Sequence, residues 1–179
     1  LSLAAAWEGD PGRSLLVGLA VAIDPDAAEV AWLEGALLAE PAVVQALGAM
    51  LGADGRGLVA HDAKPLMRTL AAVGVSVRTL VLDTAIAAYL LDPGDGRYPL
   101  EEVLARYGTA TLPQASAAQS GQLDFGAEER PPEEAVGAVA LAVHHLVAPL
   151  RAALDARGLR SLNDEVEVPL VRILAEMEH

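Results

Sequence analysis

Three short apolar segments follow one another at the start of the chain with only turn residues between them, and this order constrains the fold most strongly. Apolar residues alternate along residues 1–7, as expected for a strand, before the turn at residues 10–12. The unbroken apolar run 15–23 and, after the turn at 24–26, residues 29–33 predict two further strands. Consecutive strands joined by short turns predict an antiparallel meander.

Helix and strand signals alternate in the next part of the chain. Pro41 and Gly52 bracket a helix over 41–51, and Asp62 and Gly74 bracket a second, with Asp62 as the predicted N-cap. The remaining predictions are strands over 57–60 and 78–82, a helix following Asp83 and Thr84, and a helix from Pro99 to Tyr107.

The C-terminal part of the chain is predicted to be mainly helical. Residues 114–132 have no sustained period and predict a long mobile loop. Apolar spacing from Glu133 predicts one long amphipathic helix, kinked at Pro149. A capping box at Ser161 to Asp164 predicts a last helix that uses Val166, Leu170, Ile173 and Met177. This order of elements predicts an α/β fold in which helices flank a mixed sheet.

Composition and charge narrow the function classes. The chain has no cysteine, which excludes disulfides, thiolate metal sites and thiol nucleophiles and favours a cytoplasmic location. Its longest apolar run is nine residues, well short of the ~20 that a membrane helix needs, so we expect no membrane association. The net charge of −13 repels phosphate, so we expect no nucleic-acid binding by this acidic chain itself.

Several ordered segments resemble the 3'-5' exonuclease region of bacterial DNA polymerase I, a family A DNA polymerase, and their alanine-rich character resembles the enzymes of actinobacteria. The segments are residues 16–22, 58–64, 82–93, 98–107 and 167–178. The resemblance implies a ribonuclease H-like (DnaQ-like exonuclease) fold, with an exonuclease-like domain over 1–160 and a helix over 161–179 that leads into a polymerase domain outside this chain. Both chain ends also suggest a fragment of a longer protein.

The residues that the resemblance assigns to exonuclease chemistry are missing. Two-metal hydrolysis needs several convergent carboxylates. The family has an Asp-x-Glu pair on the first strand, where this chain has only apolar residues over 3–7. Its Asn-x-x-x-Asp motif falls on Asp62 and Leu66, and its Tyr-x-x-x-Asp motif on Ala138 and Ala142. We therefore predict an inactive domain with no catalytic, cofactor-binding or metal-binding residues.

By the same resemblance, the parent protein is a DNA-directed DNA polymerase, a monomeric nucleotidyltransferase that acts in replication and repair. It would use magnesium and bind DNA through its polymerase domain, and that domain would be this chain's partner. We expect the helix around Leu170, Ile173 and Met177 to stabilise the polymerase region. The alternative role for these three side chains is to fill the chain's own core.

Two other functions remain open from the sequence. The first is an active metal-dependent exonuclease with displaced carboxylates, for which Glu8, Asp10, Asp62 and Asp83 are the candidates. Asp62 and Asp83 are also explained as helix caps, and Asp10 as a turn residue. His144 and His145 are weak substitute ligands, because adjacent helical residues point about 100° apart. The second is an acidic protein-binding module that uses Glu128, Glu129, Glu133 and Glu134.

Overall fold

A computed structural model describes residues 1–26, 28–108 and 131–178 of the chain. Within them a five-stranded sheet has the order β3-β2-β1-β4-β5. The first three strands form the predicted antiparallel meander, whereas β4 and β5 run parallel to β1. The fold prediction, a mixed sheet flanked by helices, is confirmed. The strands are β1 (Ser2–Trp7), β2 (Leu16–Asp24), β3 (Glu29–Glu34), β4 (Leu58–Ala60) and β5 (Leu80–Asp83).

Helices follow the meander and then alternate with the two parallel strands, as the sequence predicts. A 3-10 turn at Gly35–Ala39 leads from β3 into the first helix. The helices are α1 (Pro41–Leu51), α2 (Ala63–Ala72), α3 (Thr84–Leu91), α4 (Leu100–Tyr107), α5 (Pro132–His145), α6 (Val147–Ala156), α7 (Arg160–Leu162) and α8 (Val168–Met177). The predicted loop at 114–132 lies almost wholly outside the described residues.

The two faces of the sheet are covered by different sets of helices. Neighbouring residues of a strand point to opposite faces, and Leu58 accordingly packs with α1, α2 and α8, while Val59 packs with α3, α4, α5 and α6. On the second face the contact between α5 and the sheet is made of small side chains: Ala4, Ala20, Ala22 and Ala140. The alanine-rich composition therefore allows a helix to lie close to the strands.

The predicted long helix is two helices, separated at Leu146. Pro149 is the physical reason, because it has no N–H to donate to the carbonyl of His145, four residues earlier. The chain resumes helical bonding at once, since the N–H of Leu150 donates to the carbonyl of Leu146 at 3.0 Å. Over residues 132–156 the stretch is long and apolar enough to cross a membrane by length and composition. One side of the stretch is covered by the protein itself, because Ala140, Val143, Leu150 and Leu154 are fully buried.

The last helical segment differs from its prediction at its start. The predicted capping box is wrong, because α7 already begins at Arg160 and Ser161 lies inside it. A turn of π-helix, Asn163–Glu167, joins α7 to α8, with the N–H of Val168 donating to the carbonyl of Asn163. Pro169, which cannot donate to the carbonyl four residues earlier, accounts for the change of bonding pattern. The side of α8 that packs inward carries Val168, Val171 and Ala175.

Candidate active site

The carboxyl ends of β1, β4 and β5 meet at one edge of the sheet, because these strands are parallel. This edge is where carboxylates from separate strands can converge. Glu8 follows β1, Asp62 lies two residues beyond the end of β4, and Asp83 ends β5. Three of the four sequence candidates therefore share an edge, and their bonding decides what each can do.

Asp83 is a structural residue of this edge. Its side chain is 2% exposed, and its carboxylate accepts hydrogen bonds from the N–H groups of Asp62 at 3.1 Å and Ala63 at 2.7 Å. It also accepts from Ala85 at 2.9 Å and Ile86 at 3.4 Å. Asp83 thus caps α3, as predicted, and also satisfies N–H groups at the start of α2. Because all four donors belong to the backbone, this carboxylate is committed to the fold.

Asp62 does not cap α2, so that prediction is wrong. Its side chain makes no capping hydrogen bond. Its backbone is in the left-handed region at φ 52°, which turns its own N–H toward Asp83. A capping residue normally has an extended backbone, and Asp62 has no such conformation. The cap of α2 comes instead from a residue 21 positions further along the chain.

His61 connects β4 to the same cluster. Its Nδ1 lies 2.8 Å from the hydroxyl of Thr84. Burial lowers the pKa of His61, although the nearby carboxylates of Asp83, Asp62 and Glu101 act in the opposite direction. Burial raises the pKa of Asp83, while its backbone hydrogen bonds and His61 oppose that change. His61 is not among the residues predicted from the sequence, since a single histidine after a strand carries no distinctive signal.

The family's first carboxylate pair is replaced by an apolar contact. Leu3, Ala5 and Trp7 occupy one face of β1 and pack with the cluster that contains Leu66. The Trp7 indole donates from Nε1 to the Thr69 hydroxyl at 2.9 Å, which ties β1 to α2. The face of β1 that looks toward α2 is therefore filled by side chains without a carboxylate.

The other two positions matched to the family motifs are also apolar. Leu66 is 3% exposed and belongs to the cluster between the sheet and α2. Ala142 is 5% exposed and belongs to the cluster on the opposite face of the sheet. Ala138 is only partly buried. None of these three side chains carries an atom that can bind Mg²⁺.

The remaining candidates do not come together around a metal. Glu8 and Asp10 are exposed, and the Asp10 carbonyl accepts from the N–H groups of Arg13 and Ser14, as expected of a turn residue. His144 lies with its Nδ1 3.5 Å from the Ser2 hydroxyl, and His145 beside it is exposed. In the part of the chain that the structure describes, no three His, Asp or Glu side chains form a group that could hold a metal ion.

One cluster of charges was not predicted from the sequence. Glu178 accepts from Lys64 Nζ at 2.9 Å and pairs with the Arg68 guanidinium at 3.5 Å. These bonds join the end of α8 to α2 across more than a hundred residues. The Lys64 ammonium holds the pKa of Glu178 below its usual range, with Arg68 and Arg13 adding to the effect. Lys64 and Glu178 are more than a hundred residues apart, so no local sequence pattern indicates that they pair.

Sequence comparison finds relatives of this chain among bacterial DNA polymerases. No family model matches the chain. It is 33% identical to DNA polymerase I of Mycobacterium tuberculosis over 159 residues, which is 87% of this chain and 15% of that protein. It is 32% identical to DNA polymerase I of Chloroflexus aurantiacus over 179 residues, covering 94% of this chain and 19% of that protein. The chain therefore spans less than a fifth of these relatives.

Comparison with solved structures also finds a DNA polymerase I. A structure described as the POL domain of Pol1 from M. smegmatis, in complex with DNA primer-template and dNTP, superposes with a TM-score of 0.76 and 28% identity. The match covers 99% of this chain and 28% of that one. Brucella melitensis NrnC with bound Mg²⁺ superposes with a TM-score of 0.72 and 19% identity, which supports the shared fold alone.

Proposed function

This chain is an exonuclease-like domain homologous to part of bacterial DNA polymerase I, and on that premise we propose that it has lost the nuclease reaction and serves the polymerase as a structural module. One observation carries the proposal. The positions matched to two of the family's metal-binding aspartates, Leu66 and Ala142, are buried in separate apolar clusters on opposite faces of the sheet.

The loss of these aspartates matters because the nuclease reaction depends on bound metal ions. Two-metal phosphodiester hydrolysis needs carboxylates to hold both ions and to orient the attacking water. At this edge of the sheet the most buried carboxylate is that of Asp83, and it already accepts four backbone hydrogen bonds. Using Asp83 as a ligand would leave N–H groups at the starts of α2 and α3 without an acceptor. The domain is inactive because, in the part of the chain that the structure describes, no three His, Asp or Glu side chains come together to hold a metal ion.

The role of the longer protein is part of the same proposal. We assign residues 1–160 to the exonuclease-like domain and 161–179 to the helix that leads into a polymerase domain. The polymerase domain supplies DNA synthesis in replication and repair, with Mg²⁺ and primed DNA. The chain itself, with a net charge of −13, contributes little to DNA binding. The protein acts in the cytoplasm as a monomer.

A nuclease assay tests the inactive state directly. The purified chain, shown to be folded by circular dichroism, is incubated with 3'-labelled single-stranded DNA and Mg²⁺ or Mn²⁺, beside an active exonuclease. We expect no shortening of the DNA. Metal-dependent shortening that disappears in Glu8→Gln or Asp10→Asn would overturn the proposal and favour displaced carboxylates.

An acidic binding module is the second candidate. Glu133 and Glu134 are exposed in the first turn of α5, and Glu128 and Glu129 lie outside the described residues. A basic partner whose capture is lost on neutralising these four glutamates, and weakened by salt, would favour this function.

A further inference from the structure

A cavity of about 590 Å³ lies between the β1–β2 turn, the 3-10 turn before α1 and the side of α2 that carries Arg68. We call it the α2 cavity. Its volume is within the range of small-molecule sites in proteins, roughly 300–1,000 Å³. None of the residues matched to the exonuclease motifs lines it. Most of its lining is apolar or small and includes Leu15, Leu16, Leu38, Ala36, Ala39 and Ala72.

Two arginines give the α2 cavity a positive charge. Arg13, in the β1–β2 turn, and Arg68, on α2, both line it, together with the carboxylate of Glu178. That carboxylate pairs with Lys64 Nζ at 2.9 Å and with the Arg68 guanidinium at 3.5 Å, and Arg13 also acts on it electrostatically. One carboxylate therefore faces three cations, and two positive charges remain uncompensated in a chain whose net charge is −13.

The Arg68 guanidinium is not saturated by the described residues. Its side chain is 16% exposed, and its Nε is buried without a hydrogen-bond partner among them. A buried donor without an acceptor costs free energy, so this group favours an added acceptor. The acids on the neighbouring turns, Glu8, Asp10, Glu34 and Glu40, are exposed and do not line the cavity. An anion that enters the cavity therefore supplies acceptors that these acids do not.

We propose that the α2 cavity binds a phosphate monoester with an apolar body, such as a nucleoside monophosphate, and holds the phosphate between Arg13 and Arg68. A phosphate monoester carries about two negative charges near neutral pH, which matches the two uncompensated positive charges, whereas a carboxylate carries one. The planar fork of arginine also suits bidentate bonding to phosphate oxygens. The body of the ligand contacts the apolar lining and covers Leu15, which is 68% exposed.

Glu178 competes with the ligand inside the chain. Its carboxylate is held by the cations that the phosphate needs, and its negative charge repels the phosphate at short range. Removal of the Glu178 charge should therefore raise the affinity for the ligand, while removal of the Arg68 charge should lower it. A purely structural ion pair predicts no such opposition, because either substitution breaks the same contact.

Isothermal titration calorimetry of the folded chain with dAMP tests the site. Arg68→Gln should weaken binding by about tenfold or more, because charge-assisted hydrogen bonds to the phosphate are lost. Glu178→Gln should tighten binding several-fold, although it breaks the same ion pair. Arg106→Gln is the matched control, because it removes the same charge from an arginine that pairs with Asp92 and Asp95 and does not line the cavity. It should leave the affinity for dAMP unchanged.

Related ligands show which part of dAMP is recognised. Deoxyadenosine lacks the phosphate and should not bind, and inorganic phosphate lacks the body and should bind more weakly than dAMP. Glucose 6-phosphate has a polar body whose hydroxyl groups would lose water against the leucines of the lining, so it should also bind more weakly than dAMP. Equal affinities for dAMP and glucose 6-phosphate would overturn the assignment of an apolar body.

Two results would overturn the site itself. The first is the absence of dAMP binding at millimolar concentrations by a chain that circular dichroism shows to be folded. The second is equal weakening of dAMP binding by Arg68→Gln and Glu178→Gln, which would assign both residues to the fold alone. Arg13→Gln, at an exposed side chain, should also weaken binding and gives a test that does not depend on the folding of the Arg68 variant.

Discussion

The Asp83 carboxylate accepts a 2.7 Å hydrogen bond from the N–H of Ala63, so the residue that ends β5 also holds the first turn of α2. The same carboxylate caps α3 through Ala85. One buried side chain thereby fixes the relative position of two helices at the edge of the sheet where an exonuclease site would lie.

Removal of this carboxylate should be costly. Asp83→Ala leaves backbone N–H groups at two helix starts without an acceptor, and we expect a loss of about 2–4 kcal/mol in the free energy of unfolding. Urea denaturation measures the loss. Asp62→Asn is the matched control, because Asp62 makes no capping bond and asparagine tolerates its left-handed backbone. Equal effects of the two substitutions would contradict the assignment of the cap to Asp83.

An aspartate restored at position 66, where the family has one, should not restore a metal site. Leu66→Asp places a carboxylate in an apolar cluster, where Leu66 is 3% exposed. We expect it to destabilise the chain more than Leu66→Ala, which itself should cost about 2–5 kcal/mol. Urea denaturation with and without Mg²⁺ measures both variants. A folded Leu66→Asp chain that Mg²⁺ stabilises would show that a metal site persists.

Lowering the pH should destabilise the folded chain through protonation of His61. The pKa of His61 is lowered in the folded chain, so the folded state favours the neutral ring more than the unfolded chain does. The contribution of the neutral His61 ring to the free energy of unfolding is complete above the pKa of about 6.5 that histidine has in the unfolded chain. It is lost as the pH falls toward the lower pKa of His61 in the folded chain. The free energy of unfolding should therefore drop between pH 7.5 and pH 5.5, as measured by urea denaturation at each pH.

A variant isolates this effect from those of other groups. His144 also has a lowered pKa, mainly through burial, and Asp83 titrates next to His61. His61→Gln removes the titration of His61 together with its effect on the pKa of Asp83, so the drop should be smaller in the variant. An identical pH dependence in both chains would refute the role of His61.

The indole bond between β1 and α2 can be tested with two substitutions of one residue. Thr69→Val removes the acceptor that lies 2.9 Å from Trp7 Nε1, together with the donation of the same hydroxyl to the Pro65 carbonyl at 3.2 Å, and should cost at least about 0.5–1.5 kcal/mol. Thr69→Ser keeps the hydroxyl and should retain much more of the stability. Thermal unfolding followed by tryptophan fluorescence measures both. If valine and serine behave alike, the hydrogen bonds of this hydroxyl contribute nothing to stability.

Much of the architecture was predictable because its signals are local. Apolar alternation, an unbroken apolar run and turn residues place β1, β2 and β3, and Pro41 and Gly52 place the ends of α1. The departures from prediction have local causes too. The break at Leu146 and the π-helical turn before α8 each precede a proline, whose missing N–H forces the backbone to bond differently.

The sequence by itself determined the order of the elements and the absence of carboxylates at Leu66, Ala138 and Ala142, since both depend only on which residue stands where. Only the tertiary structure decided which side chains cap, pair or remain exposed. Asp62 looks like a helix cap in sequence, yet Asp83 takes that role because β4 and β5 end side by side. Val171 and Ile173 are both apolar residues of α8, and only packing against α2 buries the first and leaves the second in solvent. Such contacts join residues far apart in the chain, which local patterns cannot specify.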